Sequence, residues 1–280
     1  MNKRNLGCIL LTLAAIIWGF GISFQNILGN NLGVYTIVFF KGIAGILLIP
    51  FVFIMKGKYT KDTLIGGLIC GVIMLFANIF QQKGIVMTTS GKAGFITGMY
   101  MIFVPIIGVL FFKRKTKPHV WFGVLLALVG SYFLCVKENI VLQLEDIYLF
   151  LGAICFALQI LVADKYVRKA DPVSLCSIQL ISMGLMSSVL MFVIDKPTVS
   201  QLYYSRWTLI YVSVLCSAVA LAIQFIFQKY VEPTLASLLM SLESVFGVVG
   251  GFVILNQVLS IRELIGCALI FIAVLIAQKE

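Results

Sequence analysis

The stretch VYTIVFFKGIAGILLIPFVFIM, from Val34 to Met55, is apolar throughout except for Lys41, which stands about two helical turns inside it. A second stretch, TLASLLMSLESVFGVVGGFVIL from Thr234 to Leu255, carries Glu243 near its middle. Each is long enough to cross a bilayer as a helix, which takes about 20 apolar residues. An ion at that depth costs at least ~2.5 kcal/mol, so such residues face a protein interior, a cavity or a partner rather than lipid.

The rest of the 280-residue chain repeats this pattern. Hydrophobic residues make up 61% and charged residues 11%, against roughly 25% charged in a soluble domain. Ten spans fit: Leu6 to Leu28, Val34 to Met55, Leu64 to Gln82, Ala93 to Phe112, Val120 to Val136, Ile147 to Ala163, Pro172 to Ile194, Trp207 to Gln228, Thr234 to Leu255 and Ile261 to Gln278. Little length is left for a soluble domain. The apolar runs are continuous, whereas barrel strands would alternate apolar and polar residues. The expected class is an all-α integral membrane protein.

The net charge of +10 sorts by side of the membrane. With the N-terminus inside, the cytoplasmic segments hold Lys3, Arg4, Lys56, Lys58, Lys61, Lys113, Arg114, Lys115, Lys117, Lys165, Arg168, Lys169, Lys229 and Lys279. The outer segments hold Lys83, Lys92, Lys137, Lys196, Arg206 and Arg262. This is the positive-inside bias, and it explains the charge without a nucleic-acid partner. Lys3 and Arg4 precede an apolar run too long for a cleaved leader, so a retained first span is expected. The seven cysteines form no CxxC or Cys/His spacing and read as small packing residues.

A weak internal repeat divides the chain into 1–138 and 139–280. An offset of 138 places Ala15-Ile16-Ile17-Trp18-Gly19 on Ala153-Ile154-Cys155-Phe156-Ala157, and Lys41 on Gln179. An offset of 143 places Ala93 on Ala236 and Gly123 on Gly266, and between these Pro105 and Ser244 align at 139. Five spans per copy is an odd number, so the second copy enters the membrane inverted. Two inverted five-helix repeats around a central cavity are a recurrent transporter construction, with the solute site near the midplane. Gly66, Gly67 and Gly71 in the third span, and Gly247, Gly250 and Gly251 in the ninth, permit close helix contact.

At Thr88-Thr89-Ser90-Gly91-Lys92-Ala93-Gly94-Phe95-Ile96-Thr97-Gly98-Met99-Tyr100, followed by Val104-Pro105-Ile106-Ile107-Gly108, the chain resembles bacterial members of the drug/metabolite transporter superfamily of the EamA type. The resemblance runs through Trp18-Gly19, the basic residue of the second span, Leu242-Glu243-Ser244-Val245-Phe246, and Leu264-Ile265-Gly266-Cys267-Ala268-Leu269-Ile270. That family usually has arginine at the place of Lys41, asparagine at Lys92, glutamate-proline at Glu243-Ser244, and often an acidic residue at Asn256. The resemblance implies ten helices in two inverted bundles and export of amino acids, related metabolites or toxic compounds.

The candidate solute-binding residues are Trp18, Lys41, Asn78, Gln81, Tyr100, Gln159, Gln179, Gln224, Ser241 and Glu243. Lys41 either snorkels to the interface or faces the cavity. A carboxylate such as Glu243 pairs with a cation, bonds backbone or serine, or takes a proton, since burial disfavours the charged form. The amides are helix-to-helix bonds by default; a subset facing the cavity suits the ends of a small zwitterion. Trp18 and Tyr100 offer aromatic faces, or pack. His119 reads as a surface residue. No nucleophile motif, metal cluster or phosphate-binding loop suggests an enzyme or a cofactor, and no ring of like charges suggests a channel. The expected function is secondary transport by alternating access, most simply export of a small metabolite, with protons as a coupling ion. Uptake of a sugar or amino acid, or a non-transporting scaffold, are the alternatives. On this topology, membrane-impermeant thiol labelling from outside reaches cysteines introduced at Asn30 and Lys196 and not at Lys115; the reverse pattern inverts the orientation.

Overall fold

The protein is described by a computed structural model covering residues 2–88, 90–135, 143–255 and 260–278. Thr89, Val136, Lys137, Asn256 and Lys279 lie outside the described residues. Among the described residues ten apolar helices follow one another, here α1 (Lys3–Gly29), α2 (Val34–Ile54), α3 (Lys61–Met87), α4 (Lys92–Phe112), α5 (Pro118–Leu134), α6 (Leu144–Val167), α7 (Pro172–Asp195), α8 (Val199–Gln228), α9 (Pro233–Ile254) and α10 (Ile261–Gln278). Among the described residues there is no strand. The side chains left exposed include Phe51, Phe53, Leu110, Phe111 and Phe192, the apolar coat of a protein solvated by lipid.

The helices extend past the apolar runs because polar caps carry them on. α8 begins at Val199 rather than near Trp207. Thr198 and Gln201 form a capping box, with the Gln201 side chain accepting from the Thr198 N–H at 2.9 Å and the Thr198 hydroxyl accepting from the Gln201 N–H at 3.3 Å. α3 likewise starts at a Thr60–Thr63 box, ahead of Leu64. α6 starts at a box formed by Gln143 and Asp146, ahead of Ile147.

Helix contacts come in mated pairs under exchange of α1–α5 with α6–α10. α3 on α6 is matched by α8 on α1, α3 on α7 by α8 on α2, and α4 on α6 by α9 on α1. α2 on α7, α4 on α9 and α5 on α10 are their own mates, so a pseudo-two-fold axis passes through these three crossings. The residues at the crossings confirm it. A Cβ on Gly123 of α5 would stand 2.9 Å from the Ala273 carbonyl oxygen, and one on Gly130 would stand 2.9 Å from that of Gly266. These two contacts exchange under an offset of 143. On α2 and α7, a Cβ on Gly42 would fall on the backbone of Gly184. The Ser177 hydroxyl donates to the Gly45 carbonyl at 3.0 Å and the Ser187 hydroxyl to that of Tyr35 at 2.9 Å, mates under an offset of 142.

The register of α2 on α7 is therefore 142 rather than 138, which matches Lys41 with Met183 instead of Gln179. On α4 and α9 the 143 that places Ala93 on Ala236 continues through the matched turns at Met99 and Leu242, in place of the 139 read between Pro105 and Ser244. Both discrepancies are four residues, about one helical turn, and a shift of one turn leaves the same face buried. Apolar patterning alone does not separate the two. The first helices keep 138: Trp18 and Phe156 both pack against the two large cores, one built from α1, α4, α5, α6, α9 and α10 and the other from α2, α3, α6, α7 and α8. The glycines of α3 serve close contact as expected, Gly66 against the Tyr166 ring and Gly67 against Ile178.

Gly42→Ala forces the central crossing apart and lowers stability by about 1–3 kcal/mol, the usual cost of overpacking. Gly94→Ala, whose added carbon would meet nothing nearer than the Ile22 side chain at 3.8 Å, is expected to be silent. Unfolding in detergent micelles compares them, and equal effects refute the crossing.

Candidate functional site

Polar side chains inside the bundle must find partners, because hydrocarbon offers none. They gather in three places. The first joins α1, α2 and α3 in the half of the bundle away from the N-terminus. Lys41 donates to the side-chain oxygen of Gln25 at 3.1 Å and to that of Asn78. Asn78 donates to the Met74 carbonyl at 2.8 Å, and Gln82 to the Gln25 carbonyl at 3.1 Å. Lys41 is 8% exposed, so it is held inside the protein and does not snorkel.

The second cluster is built from the equivalent helices α6, α7 and α8, in the half nearer the N-terminus. Gln159 donates to Gln179 at 3.0 Å, and Gln224 donates to Gln159 at 3.3 Å and to Gln228 at 3.0 Å. Each repeat thus contributes one polar side chain from each of its first two helices and two from its third.

The third lies on the axis between them. α4 and α9 are both interrupted at matched positions. Met99 N–H turns back to the Ile96 carbonyl, and Leu242 N–H to the Leu239 carbonyl, each at 3.2 Å, the tighter bonding of a 3₁₀ turn. Tyr100 and Glu243 begin the helical segments that follow, Tyr100–Phe112 and Glu243–Leu255. They are related by the offset of 143, both are buried, and the Tyr100 phenol and the Glu243 carboxyl interact with each other. The helix dipole favours the carboxylate at this first turn. Gly19 admits α1 here: a Cβ on it would stand 2.7 Å from the Glu243 carbonyl oxygen.

Lys41 and Glu243 interact through their fields, while their hydrogen bonds go to other groups. Cys216 of α8 lies in the field of both, and its carbonyl accepts from the Trp18 indole at 2.7 Å. Trp18, Lys41, Tyr100, Cys216 and Glu243 therefore converge from α1, α2, α4, α8 and α9. Asn78 belongs to the first cluster, and Gln159, Gln179 and Gln224 form the second. Gln81 instead stands where α3 meets Gly152 of α6, one residue from Gln82, which does join. Ser241 donates to the Leu238 carbonyl at 2.8 Å, within the interrupted turn of α9. Cys216, read from the sequence as packing, and Gln228, at the end of its helix, are additions whose sequence signal is weak. Gln25 is conspicuous as an amide in an apolar span.

The EamA-like transporter family model matches residues 5–136 and 143–278, one copy on each repeat. The chain belongs to the EamA-like transporter family. An uncharacterized transporter of Archaeoglobus fulgidus is 29% identical over 280 residues, covering 99% of this chain and 87% of its own. A solved crystal structure superposes with a TM-score of 0.81 at 13% identity, covering 98% of this chain and 97% of the other, which shows the shared fold. The protein is a multi-pass membrane transporter of that family.

Removing one partner of a buried charge costs about 3–5 kcal/mol, while removing both is often close to neutral. Asn78→Leu is thus expected to destabilise the protein by about 3 kcal/mol, and adding Lys41→Met should recover most of the loss. Chemical unfolding of the two variants checks this. A loss under about 1 kcal/mol for Asn78→Leu would place the ammonium in water.

Proposed function

We propose that this transporter moves small organic solutes, such as amino acids or related metabolites, by alternating access, and that it exports them from the cell with protons as the coupling ion. The observation that carries the reading is the Tyr100–Glu243 pair, set in matched helix interruptions at the repeat interface. Solute sites in inverted-repeat carriers are built from such discontinuous helices near the midplane. Trp18, Lys41, Asn78, Tyr100, Gln159, Gln179, Gln224 and Glu243, with Gln25 and Cys216 added, supply the wall. Lys41 takes the negative end of a solute, Trp18 and Tyr100 its apolar part, and Glu243 the proton or the positive end.

The halves 1–138 and 139–280 act as the two moving units, in the plasma membrane with both termini cytoplasmic. α4 and α6 are strapped at both ends. Lys92 pairs with Asp146 at 2.8 Å on the outer side, and Asp164 pairs with Arg114 at 2.5 Å and Arg168 at 3.0 Å on the inner side. The mated seam, α1 on α9, is lined by Gly19, Gly247 and Gly250, which suits sliding.

Glu243→Gln keeps the shape and an acceptor for Tyr100 but removes proton exchange. In proteoliposomes loaded with an amino acid mixture, wild-type efflux is expected to accelerate when an inward proton gradient is imposed. The Gln variant should remain folded and lose that acceleration. An unchanged response to the gradient would make Glu243 structural.

A further inference from the structure

The four glutamines near the N-terminal side form a chain whose direction is set at one end. A backbone carbonyl is an acceptor only. Gln228 bonds the Ile160 carbonyl at 2.6 Å, so it turns its NH₂ group there and its oxygen back toward Gln224. Gln224 in turn donates to that oxygen at 3.0 Å and to the Gln159 oxygen at 3.3 Å. Gln159 must then present its NH₂ to the Gln179 oxygen, at 3.0 Å. Each amide orientation, ordinarily ambiguous, is thus dictated by its neighbour. The sequence ends on the Gln179 NH₂ group, which is buried and has no hydrogen-bond partner. Gln179 itself is 0% exposed.

An unpaired buried donor is costly and asks for an explanation, and aligned hydrogen bonds polarise one another so that the terminal donor is strengthened. We infer that the Gln228–Gln224–Gln159–Gln179 relay is a second solute-recognition site, on the cytoplasmic side of the Lys41–Glu243 centre, whose Gln179 NH₂ group binds a carboxylate or carbonyl oxygen of the transported molecule. The inference rests on the carrier reading above for the identity of its ligand, and on the relay alone for its chemistry. A solute lacking an acceptor gains nothing from it. The other cluster is not equivalent, because its unpaired buried group is the Gln82 side-chain oxygen, an acceptor.

Four compounds with one branched skeleton test it: L-leucine, isovalerate, isovaleramide and isoamylamine, the last with no acceptor oxygen. Binding to purified protein is measured by calorimetry and thermal shift. Gln179→Glu is the informative variant, because its carboxylate still accepts from Gln159 while the free donor becomes an acceptor. Gln179→Met removes the group altogether. Compounds with an acceptor oxygen should bind the wild type and weaken about tenfold to a hundredfold in Gln179→Glu, whereas isoamylamine should not weaken. Loss for the carboxylates alone assigns the site to carboxylate, and loss for isovaleramide as well assigns it to any carbonyl oxygen. Affinities within twofold of wild type in both variants, or no binding of any acceptor compound to the wild type, overturn the inference. Flux in proteoliposomes separates the two readings. Binding that depends on Gln179 without flux keeps the site and removes the carrier; flux indifferent to Gln179 does the opposite.

Discussion

The contact between Tyr100 and Glu243 lies on the axis relating the two repeats, and a contact on such an axis joins a position to its own counterpart. Identical residues there would meet like with like, carboxylate against carboxylate or phenol against phenol. Here a donor meets an acceptor in the matched interruptions of α4 and α9. The symmetry of the backbone is thus kept while the chemistry is split. The same division runs outward from the axis. One repeat places a lysine at the centre of its three-helix polar cluster and the other places glutamines, so the two ends of the interior present different electrostatics to anything that crosses between them.

Partner supply governs how these groups are arranged. In hydrocarbon an unsatisfied polar group costs several kcal/mol, and nearly every amide in the bundle is tied either to another side chain or to a backbone carbonyl on its own or an adjacent helix. Asn78 bonds Met74 within α3 while receiving Lys41 from α2. Such two-way bonding fixes a side chain by its helix and its neighbour together, and it leaves the ammonium of Lys41 solvated by amide oxygens rather than by water. A carboxylate in direct contact would neutralise the lysine and remove it from the field of the interior. Amides hold it without cancelling its charge.

Much of the architecture could be read from the sequence because the bilayer imposes a length and a polarity on every span. The inverted repeat was legible at Gly123 and Gly266, where small residues mark a crossing. Its register on α2 and α7 was not, because offsets of 138 and 142 differ by about one helical turn and bury the same face. The start of α8 at Val199 was also hidden. Its first residues are amphipathic, with Tyr203, Tyr204 and Trp207 exposed, and a hydropathy criterion discards them although Thr198 and Gln201 cap the helix. For the site, charge and amide content singled out Lys41, Asn78, Glu243 and the glutamines. Cys216 escaped because its place depends on Gly21 opposite, where a Cβ would meet its sulfur at 2.6 Å. Ser241 joins none of the clusters, because a hydroxyl satisfies itself by bonding back along its own helix.

Two repeats with matched crossings have, to a first approximation, two mirror-related packings, and ion pairs decide how far from equal these are. The α4–α6 seam carries Lys92–Asp146 at one end and Arg114–Asp164–Arg168 at the other, whereas α1–α9 meets through glycine. In the alternating access proposed above, exchanging the roles of these seams would open one end of α4–α6 at a time and expose to water a carboxylate that this arrangement holds against its cations. Asp164, with its side chain 0% exposed between two arginines, is the more deeply held of the two acids. The scaffold alone therefore does not make the two states equivalent. A solute shifts such an equilibrium only by its differential affinity for the two arrangements, so the interior must grip it unequally on the two sides. Under the alternating-access reading proposed above, the lysine cluster and the glutamine cluster, built from corresponding helices but from different chemistry, would supply that inequality.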